Sequence, residues 1–137
     1  MAVTHYKAPW SSGLKDYTGE ISYPGYPVDT AVYSELAPEV VQKLRESNDF
    51  WDAGLMESEF MKAKALAEQY GLPLFCGEFG CYPSTSLELR NRYYKDIIAV
   101  FDKLDIAWTH WNYKNDFPVV EKQSLEPIEM IVLALVK

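Results

Sequence analysis

Leu72-Pro73-Leu74-Phe75-Cys76-Gly77-Glu78-Phe79-Gly80 sets one carboxylate at the end of a short apolar run. A run of this length, bounded by Pro and Gly, reads as a buried strand. A charged side chain leaving the end of such a strand is costly unless it is paired or used. Glu78 is therefore the first residue that needs a reason. Gly77 and Gly80 remove side chains on either side of it, which lets a ligand or another backbone come close.

Working outward, Met56, Phe60, Ala63, Ala67 and Tyr70 recur at spacings of four, three, four and three, one apolar stripe on a helical period. Gly71 supplies the stop and Pro73 prevents continuation. After the strand, Thr85-x-x-Glu88 has the pattern of a capping box, and the helix it opens has Tyr94, Ile97, Ile98, Phe101 and Leu104 as its buried face. Ile106 to Tyr113 reads as another strand, with Ala107, Thr109, Trp111 and Tyr113 on one face and Trp108 and His110 on the other. Pro127 starts a last helix with the stripe Ile128, Ile131, Val132 and Leu135.

On the N-terminal side, Val3 to Tyr6 is a short strand ended at Ala8-Pro9. A Gly-, Pro- and Tyr-rich irregular stretch follows from Trp10 to about Leu36, centred on a turn at Pro24-Gly25. A short helix opens at Pro38 and runs to about Glu46. The order is strand–helix three times, which predicts an α/β fold of parallel strands joined by right-handed crossovers. Long loops follow every strand, at the C-terminal ends where such proteins place their sites. Helices suffice to cover one face of the sheet only, leaving the other face and both edges to partners or to a larger protein of which the chain is part.

Net charge is −7 with acidic and basic residues interspersed, which argues against nucleic acid and against an anionic membrane surface as partners. No apolar run approaches the roughly 18 residues that span a bilayer, and Met1-Ala2-Val3-Thr4-His5 lacks the basic-then-apolar pattern of an export signal. With only two scattered His and no Cys–His grouping, neither a metal nor another cofactor is called for. Cys76 and Cys81, if extended, lie roughly 16 Å apart, too far for a disulfide, and read as two reduced, half-buried thiols. Tyr and Trp are abundant, as in sugar-binding clefts, although packing is the commoner use of such rings.

Three strand ends carry the distinctive side chains: His5-Tyr6-Lys7-Ala8-Pro9, Gly77-Glu78-Phe79-Gly80 and Trp111-Asn112-Tyr113-Lys114. With Phe75-Cys76 before the second and Ala107-Trp108 before the third, they follow a familiar order. The chain resembles the C-terminal portion of a glycoside hydrolase family 5 cellulase-like (β/α)8 barrel, strands six to eight. The resemblance covers nearly the whole chain, as one domain over residues 1–137. It implies three C-terminal βα units of a partial TIM barrel, and a retaining mechanism that uses two Glu residues. Glu78 matches the nucleophile at the end of strand seven. His5 matches the strand-six His of the hydrogen-bonded floor, Trp111 the tryptophan that supports the sugar, and Lys114 a residue that hydrogen-bonds the glycan. The resemblance implies a β-linked polysaccharide or oligosaccharide as substrate, and an extracellular place of action because polymeric glycans lie outside cells.

Two departures stand out. Lys7 occupies the place where relatives carry a Tyr that supports the nucleophile; a one-residue shift would let Tyr6 substitute, but in a regular strand Tyr6 then faces the other way. No Asn-Glu-Pro stretch, which bears the acid/base Glu in relatives, occurs in the sequence. The expectation is a nucleophile-bearing part that is inactive until a missing N-terminal half-barrel supplies the acid. The alternative is a non-catalytic half-barrel that self-associates as a homodimer and at most binds glycans. Each residue also has a plainer reading: Glu78 as a structural ion pair, His5 as a hydrogen-bonded strand end, Trp111 as barrel filling, His110 as structural, and Asp116 and Glu121 as solvated loop.

Overall fold

The computed structural model describes residues 2–5, 23–26, 30–46, 48–81, 83 and 85–136, with residues 2–5 and Val32 described by backbone alone. Three strands, β1 (Ala2–His5), β2 (Leu74–Glu78) and β3 (Ala107–Trp108), form one parallel sheet in the order β1-β2-β3. The helices are α1 (Pro38–Glu46), α2 (Ala53–Gln69), α3 (Leu87–Lys103) and α4 (Glu129–Leu135), with a short 3-10 helix at Thr30–Glu35 inside the stretch predicted to be irregular. Parallel pairing between neighbours requires the α1–α2 and α3 segments to act as crossovers.

The helix ends are set by local chemistry. Asp52 caps α2 by accepting from the Leu55 amide at 2.8 Å. At the other end Gly71 adopts φ 63°, and the Gly71 and Leu72 amides turn back to the Glu68 and Ala67 carbonyls, closing the helix one residue before Tyr70. Tyr70 is consequently 68% exposed and drops out of the predicted stripe, whereas Met56, Phe60 and Ala67 are buried. The predicted capping box at Thr85 is also corrected. Ser86 is the cap, its hydroxyl accepting from Leu89, and Glu88 pairs with Arg92 one turn on rather than reaching back. The predicted buried face of α3 holds at all five positions, and Arg90, Tyr93 and Val100 join it.

The core lies between α2, α3, α4 and one face of the sheet. Phe101 stacks edge-on to both Phe60, at 5.1 Å between centroids, and Phe79, at 5.2 Å, with Met56, Tyr94, Ile97 and Ile131 fully buried around them. Along β2, Leu74 and Cys76 are buried on the helix side while Phe75 between them is only half-buried. Within the described residues the helices cover one face of the sheet, the other is only half-buried at Phe75, and β1 and β3 are its edges. Cys76 and Cys81 form no disulfide and are more deeply buried than expected.

The third strand is shorter than predicted. Regular pairing ends at Trp108, and the chain from Thr109 to Tyr113 leaves the ladder. Trp111 and Tyr113, predicted on a strand face, are 44% and 59% exposed. Among the described residues, no helix is long and apolar enough to cross a membrane and no group of three or more His, Cys, Asp or Glu is placed to hold a metal ion.

Candidate active site

The register at the end of β2 decides where Glu78 goes. Ala2, Val3 and Thr4 pair with Leu74, Phe75 and Cys76, but His5 pairs with Glu78, so Gly77 is an extra residue on β2. An inserted residue inverts the alternation of all that follow. Without it, Glu78 would share the helix-facing side with Leu74 and Cys76. With it, Phe79 takes that side and is buried against Phe101, Tyr94 and Trp108. Glu78 is turned to the opposite face and is half-buried. The bulge explains how a charge can leave a buried strand without entering the core.

The same register sets the His5 backbone directly across from Glu78. Tyr6 and Lys7 lie outside the described residues, as does the His5 side chain. On the other side, the chain beyond β3 is laced to the exit of β2. The Thr109 amide donates to Cys76 O at 3.0 Å, the Thr109 hydroxyl to Gly77 O at 2.6 Å, and the Trp111 amide to Phe79 O at 2.9 Å. Trp111 is thereby held beside the residue that follows Glu78, its ring half open to solvent. Gly80 permits this approach, since a Cβ there would lie 2.5 Å from the Trp111 carbonyl oxygen and would overlap the Phe117 ring. Lys114 is exposed on the loop beyond, and Asp116 and Glu121 are exposed as expected.

Beneath these loops lies a buried polar chain whose chemistry sequence reasoning missed. The Cys81 amide donates to the Tyr94 hydroxyl at 3.0 Å, and that oxygen is 2.9 Å from His110 Nε2. Since the amide can only donate, the phenol proton is directed at Nε2, which requires a neutral imidazole protonated on Nδ1. Burial, and secondarily the Arg90 guanidinium, push the His110 pKa down to about 4, against a hydrogen bond to the Asn112 backbone that favours the cation. Burial, reinforced by the Cys81 thiol, raises the Tyr94 hydroxyl well above its ordinary range. Arg90 itself is 5% exposed and donates to Pro118 O at 3.0 Å. Its place in the apolar stripe of α3 was the signal available in the sequence.

The structure is an α/β fold with a carboxylate and a tryptophan at adjacent ends of a parallel sheet, the C-terminal edge where such folds carry their sites. No protein-family model matches the chain. Among curated proteins it is 29% identical over 117 residues to Endoglucanase C of Acetivibrio thermocellus, covering 85% of this chain and 34% of that one. It is 30% identical over 135 residues to Endoglucanase 3 of Fibrobacter succinogenes, covering 90% of this chain and 20% of that protein. Thermotoga maritima Cel5A in complex with mannotriose superposes with a TM-score of 0.68 at 17% identity, over 98% of this chain and 38% of the other. A hyperthermophilic endo-β-1,4-glucanase with bound substrate superposes with a TM-score of 0.59 at 23% identity, over 64% of this chain and 28% of that one.

The chain is therefore related in sequence to endoglucanases and shares its fold with cellulase structures, as the resemblance at the three strand ends implied. It spans about a third of the length of the curated endoglucanases that head the comparison.

Proposed function

We propose that these 137 residues are one domain forming the C-terminal part of a cellulase-like (β/α)8 barrel, with β1, β2 and β3 as its sixth, seventh and eighth strands. The chain is the nucleophile-bearing part of a retaining β-glycosidase acting on a β-glucan or related polysaccharide. Glu78 is the nucleophile, and His5, Tyr6, Trp111 and Lys114 bind the glycan. The observation that carries this reading is the bulge at Gly77, which turns Glu78 off the helix-packed face between the His5 backbone and the bonded Trp111 segment.

The chemistry follows from those positions. An ionised Glu78 attacks the anomeric carbon, the glycosidic oxygen leaves, and a glycosyl ester on the carboxylate remains for water to hydrolyse. Trp111 offers a flat face for the apolar side of a pyranose. Departure of an ordinary sugar needs a second carboxyl about 5–5.5 Å from the first, acting as acid. That group is assigned to a partner segment outside these residues, an N-terminal half-barrel that also covers the open face at Phe75. Cellulose and similar polymers place the reaction outside the cell.

A glycoside whose leaving group departs without protonation separates the two roles. Incubation with a 2,4-dinitrophenyl 2-deoxy-2-fluoro-β-cellobioside should release dinitrophenolate and leave the fluorosugar esterified to Glu78, located by peptide mass spectrometry. Glu78→Gln should remain unlabelled. A label on another residue, or none while the chain binds cello-oligosaccharides, refutes the nucleophile assignment. The half-buried sheet face at Phe75 and the edges left open among the described residues favour one further reading, a self-associated half-barrel that only binds glycans. Light scattering showing a dimer, together with binding but no label, selects it.

A further inference from the structure

Tyr94 sits where three parts of the fold meet. It projects from the middle of α3, is fully buried, and its hydroxyl joins the loop after β2, through the Cys81 amide, to the segment after β3, through His110. Both joined segments border the site: Cys81 is three residues beyond Glu78, and His110 immediately precedes Trp111. We propose that Tyr94 and His110 are a positioning pair, setting the Trp111 segment against the exit of β2 so that its ring stands at a fixed place beside Glu78. This role rests on the glycan-hydrolase reading above for its purpose, although not for its geometry.

The bonds are directional. Tyr94 accepts from the Cys81 amide and from the Arg90 side chain and places its single proton on His110, so these contacts cannot be replaced by ordinary packing. His110 then hydrogen-bonds the Asn112 backbone, two residues along, and brackets Trp111 between two bonded neighbours. The ring of Phe79 lies edge-on to both Tyr94, at 6.3 Å, and His110, at 5.4 Å, and excludes water from the link. Among the described residues, the groups facing the imidazole are Arg90 and Tyr94 from α3, Phe79 after β2 and Asn112 from its own segment, with Cys81 against the Tyr94 hydroxyl. None is an anion at neutral pH that would hold a charged imidazole. Protonation therefore turns Nε2 from acceptor to donor, facing a phenol oxygen that already accepts from the Cys81 amide and the Arg90 side chain.

Two-dimensional NMR of the full chain tests this, with the Trp111 indole identified by its loss in Trp111→Phe and cellopentaose affinity measured by calorimetry. Tyr94→Phe should shift the Trp111 indole resonance and weaken cellopentaose binding about tenfold, the loss of roughly one buried hydrogen bond. His110→Gln, whose amide oxygen can accept from the phenol, should keep the wild-type resonance and affinity, while His110→Leu should not. In the wild type the indole should move with the same midpoint, about pH 4, as the His110 ring protons. Should Tyr94→Phe fail to fold, the His110 pair and the titration still decide. An indole and an affinity indifferent to Tyr94→Phe and His110→Leu, with only thermal stability lowered, would reduce the pair to packing and overturn the proposal. If the wild type binds no cello-oligosaccharide, the glycan reading fails, and the indole shifts still judge the positioning.

Discussion

Substituting Gly80 by Ala tests the close approach that brings the two strand ends together. The added Cβ would lie 2.5 Å from both the Trp111 carbonyl oxygen and Cγ of Phe117. Ordinary contact between such atoms needs about 3.5 Å, so the Trp111 segment must retreat by roughly 1 Å. The retreat pulls on the 2.9 Å bond from the Trp111 amide to Phe79 O and on the buried Phe79 ring behind it. Overpacking of this kind costs about 1–3 kcal/mol, which for a chain of this size lowers Tm by roughly 3–10 °C.

Thermal unfolding followed by circular dichroism is the assay, with Gly54→Ala as the control. Gly54 lies in the first turn of α2, where a Cβ would come no nearer than 3.3 Å to the Asp52 carboxylate. Alanine there should change stability by less than about 1 kcal/mol, with helix propensity in its favour. If Gly80→Ala melts within about 1 °C of the wild type, the two segments are not in contact and the assembly of the site fails with them.

Asp52→Ala should lose about 1 kcal/mol, read as a lower urea midpoint at unchanged slope, because the Leu55 amide forfeits its cap. The buried imidazole gives a dependence on pH with a defined sign. His110 is held near 4 in the folded chain and titrates near 6.5 when unfolded, so on acidification the unfolded state takes up the proton first. Its stabilisation is fully present above about pH 6.5 and disappears as pH falls toward 4, a loss of about 3 kcal/mol. Subtracting the urea-derived profile of His110→Gln from that of the wild type isolates this group. Parallel profiles between pH 4 and 6.5 would show that the imidazole is not held neutral.

The parts of the fold legible in the sequence are those whose causes lie within a few residues. Pro38 and Glu46 bound α1 as read, and Gly71 ends α2 because only a left-handed residue there returns the last amides. Leu74 to Glu78 is a strand because a short apolar run cannot remain in water. A one-residue slip, Ser86 for Thr85 as the cap of α3, marks the limit of such patterns, since both hydroxyls satisfy the same local rule. Lys114 and Trp111 were singled out by motif, and the exposure of both residues leaves them open to a ligand.

What no window of residues contains is the pairing between distant segments. The strand from Ile106 to Tyr113 reads as eight extended residues, yet regular pairing stops at Trp108: the Thr109 amide makes the last regular ladder bond, to Cys76 O, and the Trp111 amide then reaches Phe79 O, one residue further along than a regular ladder would take it. Tyr94 belongs to an apolar stripe in one dimension and becomes a polar junction only when Cys81 and His110 arrive from elsewhere. The amino-acid order by itself determined that a glutamate would stand at the end of a buried strand. Which face it took was settled by the register against β1, where a single unpaired glycine moved it off the helix-packed side. Side-chain alternation is a local property, but its phase is set by a neighbouring strand.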